Sequence, residues 1–155
     1  MDRVLATEPL DVEPTVLSEL AVKLADFAGH AGFEYLSIGP ISGDGFASAP
    51  PRLDSIPRLV QAADSLFASV LVAQKGQGIR LDLIRGAARV IREIAASTEL
   101  GFGNLRFAVL ANVNPHTPFF PAAYHDGGPP ALALATESAD LAVTDALALE
   151  ELETL

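Results

Sequence analysis

The stretch with the most chemistry per residue covers residues 112–126, where two asparagines, two histidines and a tyrosine are spaced among three prolines. His116 and His125 can act as general acid–base groups, because imidazole titrates near neutrality. Asn112 can orient a carbonyl or carboxylate, and Asn114 and Tyr124 add polar atoms able to hold a ligand. Pro115, Pro118 and Pro121 fix φ at intervals, which suits a loop held in one shape. In the plainer alternative, Phe119, Phe120 and Tyr124 plug one end of a barrel while the histidines bond to backbone. His116, His125 and Asp126 can also be read as a metal site, although the expectation for the chain is that it holds none.

A second group lies elsewhere. Lys75 stands in Gln-Lys-Gly-Gln-Gly, just beyond an apolar run, and can bind an anion or act as a base if desolvated. A solvated loop lysine is the alternative. Glu137 and Ser42 fall where strand ends are expected, and the alternative for Glu137 is to favour a following helix N-terminus through the dipole. Lys75, His116 and His125 are therefore the candidate catalytic groups. Ser42, Asn112, Asn114, Tyr124 and Glu137 are the candidate ligand-binding groups. No GxxxxGK[ST] order surrounds Lys75, and no GxSxG elbow surrounds Ser37 or Ser42. His30 is read as a helix-end cap, and Arg85, Arg89 and Arg92 as a solvated helix face.

These groups need elements to hold them. Val16, Leu20, Leu24 and Phe27 fall at helical spacing after Pro14, and 33–38 then alternates like a strand. Residues 39–52 form a glycine- and proline-rich loop. Ser55 is expected to cap a short helix with Pro57 in its first turn. The apolar run 68–73 reads as a strand buried on both faces, and 74–80 as a loop. Residues 81–96 make the clearest helix, with Leu81, Ile84, Ala88, Ile91 and Ala95 as its apolar side. A third strand is expected over 105–111 and a fourth over 131–135. Ser138 then opens an acidic final helix, and the long connection has room for a short helix at 121–124.

Strands alternating with helices imply an α/β fold: a mostly parallel sheet of about four strands with helical cover. The chain divides into an acidic N-terminal segment, 1–13, and one unit over 14–155. That unit is either a small doubly wound domain or an arc of a larger barrel. In such folds ligands meet the loops at the carboxyl ends of the strands, which is where the candidate residues gather.

The totals exclude several classes. With 20 acidic against 10 basic side chains the net charge is −10, which repels nucleic acid on average. Without cysteine there is no thiolate metal site, iron–sulfur cluster or thiol nucleophile in the chain. No apolar run reaches the length of a spanning helix, and the first residues do not read as a signal peptide. The expectation is a cytoplasmic protein with no membrane or nucleic-acid partner.

Four stretches together resemble the domain-of-unknown-function 711 family (DUF711). They are 32–43 with its strand at 35–38, Ser55-Ile56-Pro57-Arg58, 69–79 with Lys75, Gly78 and Ile79, and 107–126 with Asn112, Pro118, Phe119 and His125. The similarity runs from about Leu17 to Thr144. It implies a large β/α barrel of the pyruvate formate-lyase type, that of the glycyl radical enzymes, of which this chain supplies part of one half. It implies no established reaction or cofactor. Radical chemistry does not carry over, because that chemistry needs a cysteine.

The functional expectation is a site for a small polar or anionic metabolite, catalytic or only binding, at the carboxyl ends of the strands. The alternative is a non-catalytic structural piece that assembles with a partner copy or a missing half, covering its open sheet edges as a homo-oligomer.

Overall fold

The computed structural model describes residues 14–42, 53–125, 129–130, 132 and 138–153. In chain order they form α1 (Pro14–His30), β1 (Leu36–Ile41), α2 (Ile56–Ala62), β2 (Leu66–Gln74), β3 (Gly78–Ile79), α3 (Leu81–Ser97), a 3-10 segment (Glu99–Arg106), β4 (Phe107–Ala111) and α4 (Ala139–Glu153). No helix among the described residues is long and apolar enough to cross a membrane.

β2 is the centre of the sheet. It pairs in parallel with β1 through Leu36↔Leu66 and Ile38↔Ala68, and in parallel with β4 through Ser69↔Ala108 and Leu71↔Leu110. The sheet has four strands, but it is partly antiparallel. β3 folds back on the end of β2 through Ala73↔Ile79, so the segment expected as a plain loop is a tight hairpin. Gly76 and Gly78, at φ 86° and 82°, supply the left-handed residues that such a reversal needs. Of the strand expected over 131–135, only Leu132 is described, and it is exposed outside any strand.

Alternation along β2 divides the core. Leu66, Ala68, Val70 and Val72 face the helices and pack with Leu59 and Val60 of α2 and with Leu83, Ala87, Val90 and Ile94 of α3. Burying each of these larger aliphatic side chains contributes roughly 1.5–3 kcal/mol. Leu71 and Leu110 point the other way, into a small cluster with Ala122. α1 packs beside α2 and α2 beside α3, so these three helices form one layer over one face of the sheet.

The buried side of α3 is not the stripe its sequence suggests. Leu83, Gly86, Ala87, Val90 and Ile94 face the core, whereas Leu81, Ile84, Ala88, Ile91 and Ala95 are exposed. Both sets satisfy helical spacing. Gly86 selects between them, because Leu53 packs so closely there that a Cβ would lie 2.6 Å from its Cδ1. Smaller shifts also occur. The first strand begins at Leu36 rather than residue 33, and Leu105 belongs to the 3-10 segment before β4. Ser55 precedes α2 without a side-chain capping bond, and residues 121–124 are a turn, not a helix. His30 does cap α1, its Nδ1 lying 2.7 Å from the Asp26 carbonyl.

Candidate functional site

Because β1, β2 and β4 run in parallel, their carboxyl ends share one edge. Two segments on this edge are fastened together. Asn112, the first residue past β4, donates its N–H to the Ala73 carbonyl at 2.8 Å, and its Oδ1 accepts the N–H of Lys75 at 3.1 Å. Asn112 has φ 55°, a left-handed conformation that asparagine tolerates better than most residues. The Lys75 side chain projects from the β2–β3 turn and is exposed. Ser42, half-buried, lies one residue beyond β1 on the same edge.

From Asn112 the chain leaves the edge, folds back over the sheet face that the helices do not cover, and returns. Its neck is closed by three contacts. The N–H of His116 donates to the Tyr124 carbonyl at 2.9 Å, and the Tyr124 hydroxyl donates to the Val113 carbonyl at 2.9 Å. The imidazoles of His116 and His125 meet edge to face, with centroids 4.8 Å apart and an interplanar angle of 87°. His116 also adopts a left-handed φ of 63°. His125 Nε2 lies 2.9 Å from the Pro129 carbonyl, a second backbone tie.

The tip is apolar. Phe120 packs on Phe67 and Tyr35 at centroid distances of 4.7 and 6.0 Å. Ser37 Oγ donates to the Pro121 carbonyl at 3.3 Å. Phe119 remains exposed. The proline-rich stretch is thus a compact loop closed by its own polar groups and anchored by one aromatic ring, the usual build of an Ω-loop.

The structure therefore joins Lys75 to Asn112, and His116 to Tyr124 and His125. Asn114 sits in the neck with its carbonyl accepting the Thr117 hydroxyl at 2.8 Å and its side chain exposed. Glu137 and Asp126 lie outside the described residues. Among those described, no group of three or more His, Cys, Asp or Glu is placed to hold a metal ion.

Two features lie outside the candidate residues named so far. Ser69, 1% exposed at the middle of β2, has no hydrogen-bond partner for its Oγ among the described residues. It faces Gly39 of β1, which takes φ 127° and lies so close that a Cβ there would sit 2.7 Å from the Ser69 carbonyl oxygen. A lone serine inside an apolar strand gives no signal of that isolation. The second feature is Arg80, whose Nε and Nη2 donate to the two Asp82 carboxylate oxygens at 3.0 and 2.7 Å at the start of α3. That fork holds the Asp82 pKa down to about 2. Its spacing, two residues apart ahead of a helix, is visible in the sequence.

Comparison with known proteins adds a family. The model of the family described as Uncharacterised ACR (DUF711) matches residues 6–154. A UPF0210 protein of Methanopyrus kandleri is 35% identical over 113 residues, which cover 72% of this chain and 25% of that protein. UPF0210 proteins of Methanocaldococcus jannaschii and Caldicellulosiruptor saccharolyticus are 33% and 37% identical over 76 and 78 residues, each match covering 49% of this chain and 17% of the relative. The matched stretch thus spans about a quarter or less of these relatives. No solved structure matches this chain significantly.

Proposed function

This chain belongs to the DUF711 family of uncharacterised proteins, and from its own geometry we propose that it binds a small polar or anionic metabolite on the rim formed by the β2–β3 turn and the loop after β4. The observation that carries this reading is the bond from the Lys75 N–H to Asn112 Oδ1, which makes one surface of two loops far apart in sequence. Lys75 places an exposed ammonium there, on a chain of net charge −10, so an anion meets a local cation at this rim. His116 and His125, further along the same loop, supply imidazoles, the side chains most often used for acid–base work. In this reading Ser42, Asn112, Asn114 and Tyr124 orient the ligand, with Lys75, His116 and His125 the catalytic groups if a reaction follows.

Nuclear magnetic resonance of labelled protein titrated with inorganic phosphate and with malonate tests the reading. Saturable shifts at the Lys75 and Asn112 amides and at both imidazoles, lost in Lys75→Ala, are expected. Shifts scattered over the surface, or none at millimolar ligand, reject it.

A second reading has its own support. Among the described residues β4 pairs with β2 alone, so its other edge is open, and Val109 on its helix-facing side is 44% exposed. We infer that this edge is covered in an assembly, either by further units of a β/α barrel such as the longer relatives have room for or by another copy.

A further inference from the structure

The outward side of α3 carries exposed apolar residues. Leu81, Ile84, Ala88, Ile91 and Ala95 form a stripe about a third of a turn round the helix from its buried side. Leu81 is 62%, Ile84 39% and Ile91 40% exposed. Asp54 and Leu53, beside α2, approach α3 at Arg89 and Gly86, so the stripe lies away from α2, and the 3-10 segment reaches its far end at the Ile91 carbonyl and beside Ala95. Arg85 and Arg92 flank the stripe on its solvent side and make no ion pair among the described residues. The seat is thus apolar with a basic border.

α4 has the matching character. The segment Ala139–Glu153 is acidic, with no basic residue, and its described residues are all exposed. Leu141 and Val143 project from roughly opposite sides of it, 63% and 59% exposed. A helix apolar on more than one side is ordinarily covered when folded. Asp140 and Asp145 flank Leu141, so a helix laid on the stripe through Leu141 can bring carboxylates to the basic border.

We propose that α4 of a second copy seats on the outer stripe of α3, each chain giving its helix to the other across a twofold axis. This deepens the assembly reading and rests on it. A copy is chosen over the chain's own helix because the described side chains of α4 are all exposed within the folded chain. Reciprocal exchange also satisfies both exposed surfaces with one symmetric contact, the ordinary route to a closed dimer. The charge pattern adds selection: α3 against α3 would bring arginines near arginines, whereas α3 against α4 pairs opposite signs.

Light scattering on the full-length chain over a range of concentrations tests this, with circular dichroism confirming that each variant is folded. All substitutions are at exposed positions. The wild type is expected as a dimer, and Ile84→Asp/Ile91→Asp and Leu141→Asp/Val143→Asp each as monomers at the same concentration. Arg85→Glu/Arg92→Glu should weaken the dimer about ten-fold, and Asp140→Lys/Asp145→Lys in the same chain should restore it. A dimer that survives Leu141→Asp/Val143→Asp, or ignores the charge reversal, overturns the helix exchange while leaving assembly through the β4 edge standing. A wild type that stays monomeric at every concentration overturns both.

Discussion

Asn112 Oδ1 accepts the backbone N–H of Lys75, and the Asn112 N–H reaches the Ala73 carbonyl, so one residue staples the end of β2 to the start of the long loop. The side-chain bond is local in space and distant in sequence. It sets where Lys75 stands relative to the rest of the rim.

Asn112→Ala removes that acceptor and leaves alanine at φ 55°. A net hydrogen bond of roughly 0.5–1.5 kcal/mol is lost, and a left-handed penalty of roughly 1–2 kcal/mol is incurred. Urea unfolding should show a destabilisation of about 2 kcal/mol. Asn112→Gly restores the conformation but not the acceptor and should fall between the two; if it equals the wild type, the side-chain bond contributes nothing.

Gly39→Ala places a methyl 2.7 Å from the Ser69 carbonyl at a φ of 127°. Backbone must move to admit it, and a loss of about 3 kcal/mol or outright failure to fold is expected. Gly76→Ala, also left-handed but with open space around it, should cost only about 1–2 kcal/mol. Equal effects at the two positions would show that the Ser69 contact does not matter.

Ser69→Ala should stabilise. The hydroxyl is buried without a partner among the described residues, and removing such a group recovers desolvation of about 1–3 kcal/mol, less the small volume lost. A higher urea midpoint with an unchanged slope is the expected result. A marked fall in stability would mean that the hydroxyl has a partner in solution.

Gly86 and Leu53 form a coupled pair, since a Cβ on the glycine meets the leucine's Cδ1 at 2.6 Å. Leu53 is fully buried, so Leu53→Ala should cost about 2–5 kcal/mol. Gly86→Ala alone should destabilise despite its better helix propensity. In the double variant the added methyl occupies part of the space that Leu53 vacates. The two effects should therefore sum to less than their separate costs, and strict additivity would place the residues out of contact.

Acid sensitivity should trace in part to Asp82. The Arg80 fork lowers its pKa to about 2, against about 3.9 for an unfolded aspartate. A depressed carboxylate pKa contributes stability that is fully present above about pH 4 and is lost as pH falls through about 2. Unfolding followed between those values should be flatter with pH in Asp82→Asn than in the wild type. Parallel curves would remove the pair from the acid response.

Much of the frame was legible in the chain itself. Apolar runs located β2 and β4, helical periodicity located α1 and α3, and their alternation required parallel strands whose loops share an edge. Those signals are local, so composition and spacing determine them. The polar, proline-spaced character of residues 112–125 likewise marked a loop held in one shape, and the closed neck at His116, Tyr124 and His125 is what holds it.

What the tertiary structure decided are the choices that local pattern leaves degenerate. Two apolar stripes on α3 both fit a helix, and only the approach of Leu53 to Gly86 determines which is buried. The Gly76 and Gly78 reversal reads as a loop until β2 offers an edge for Ala73 to pair with Ile79. Ser69 becomes an isolated hydroxyl only because Gly39 of a neighbouring strand closes over it. Each outcome depends on contacts between residues remote along the chain, whose energies no window of sequence contains.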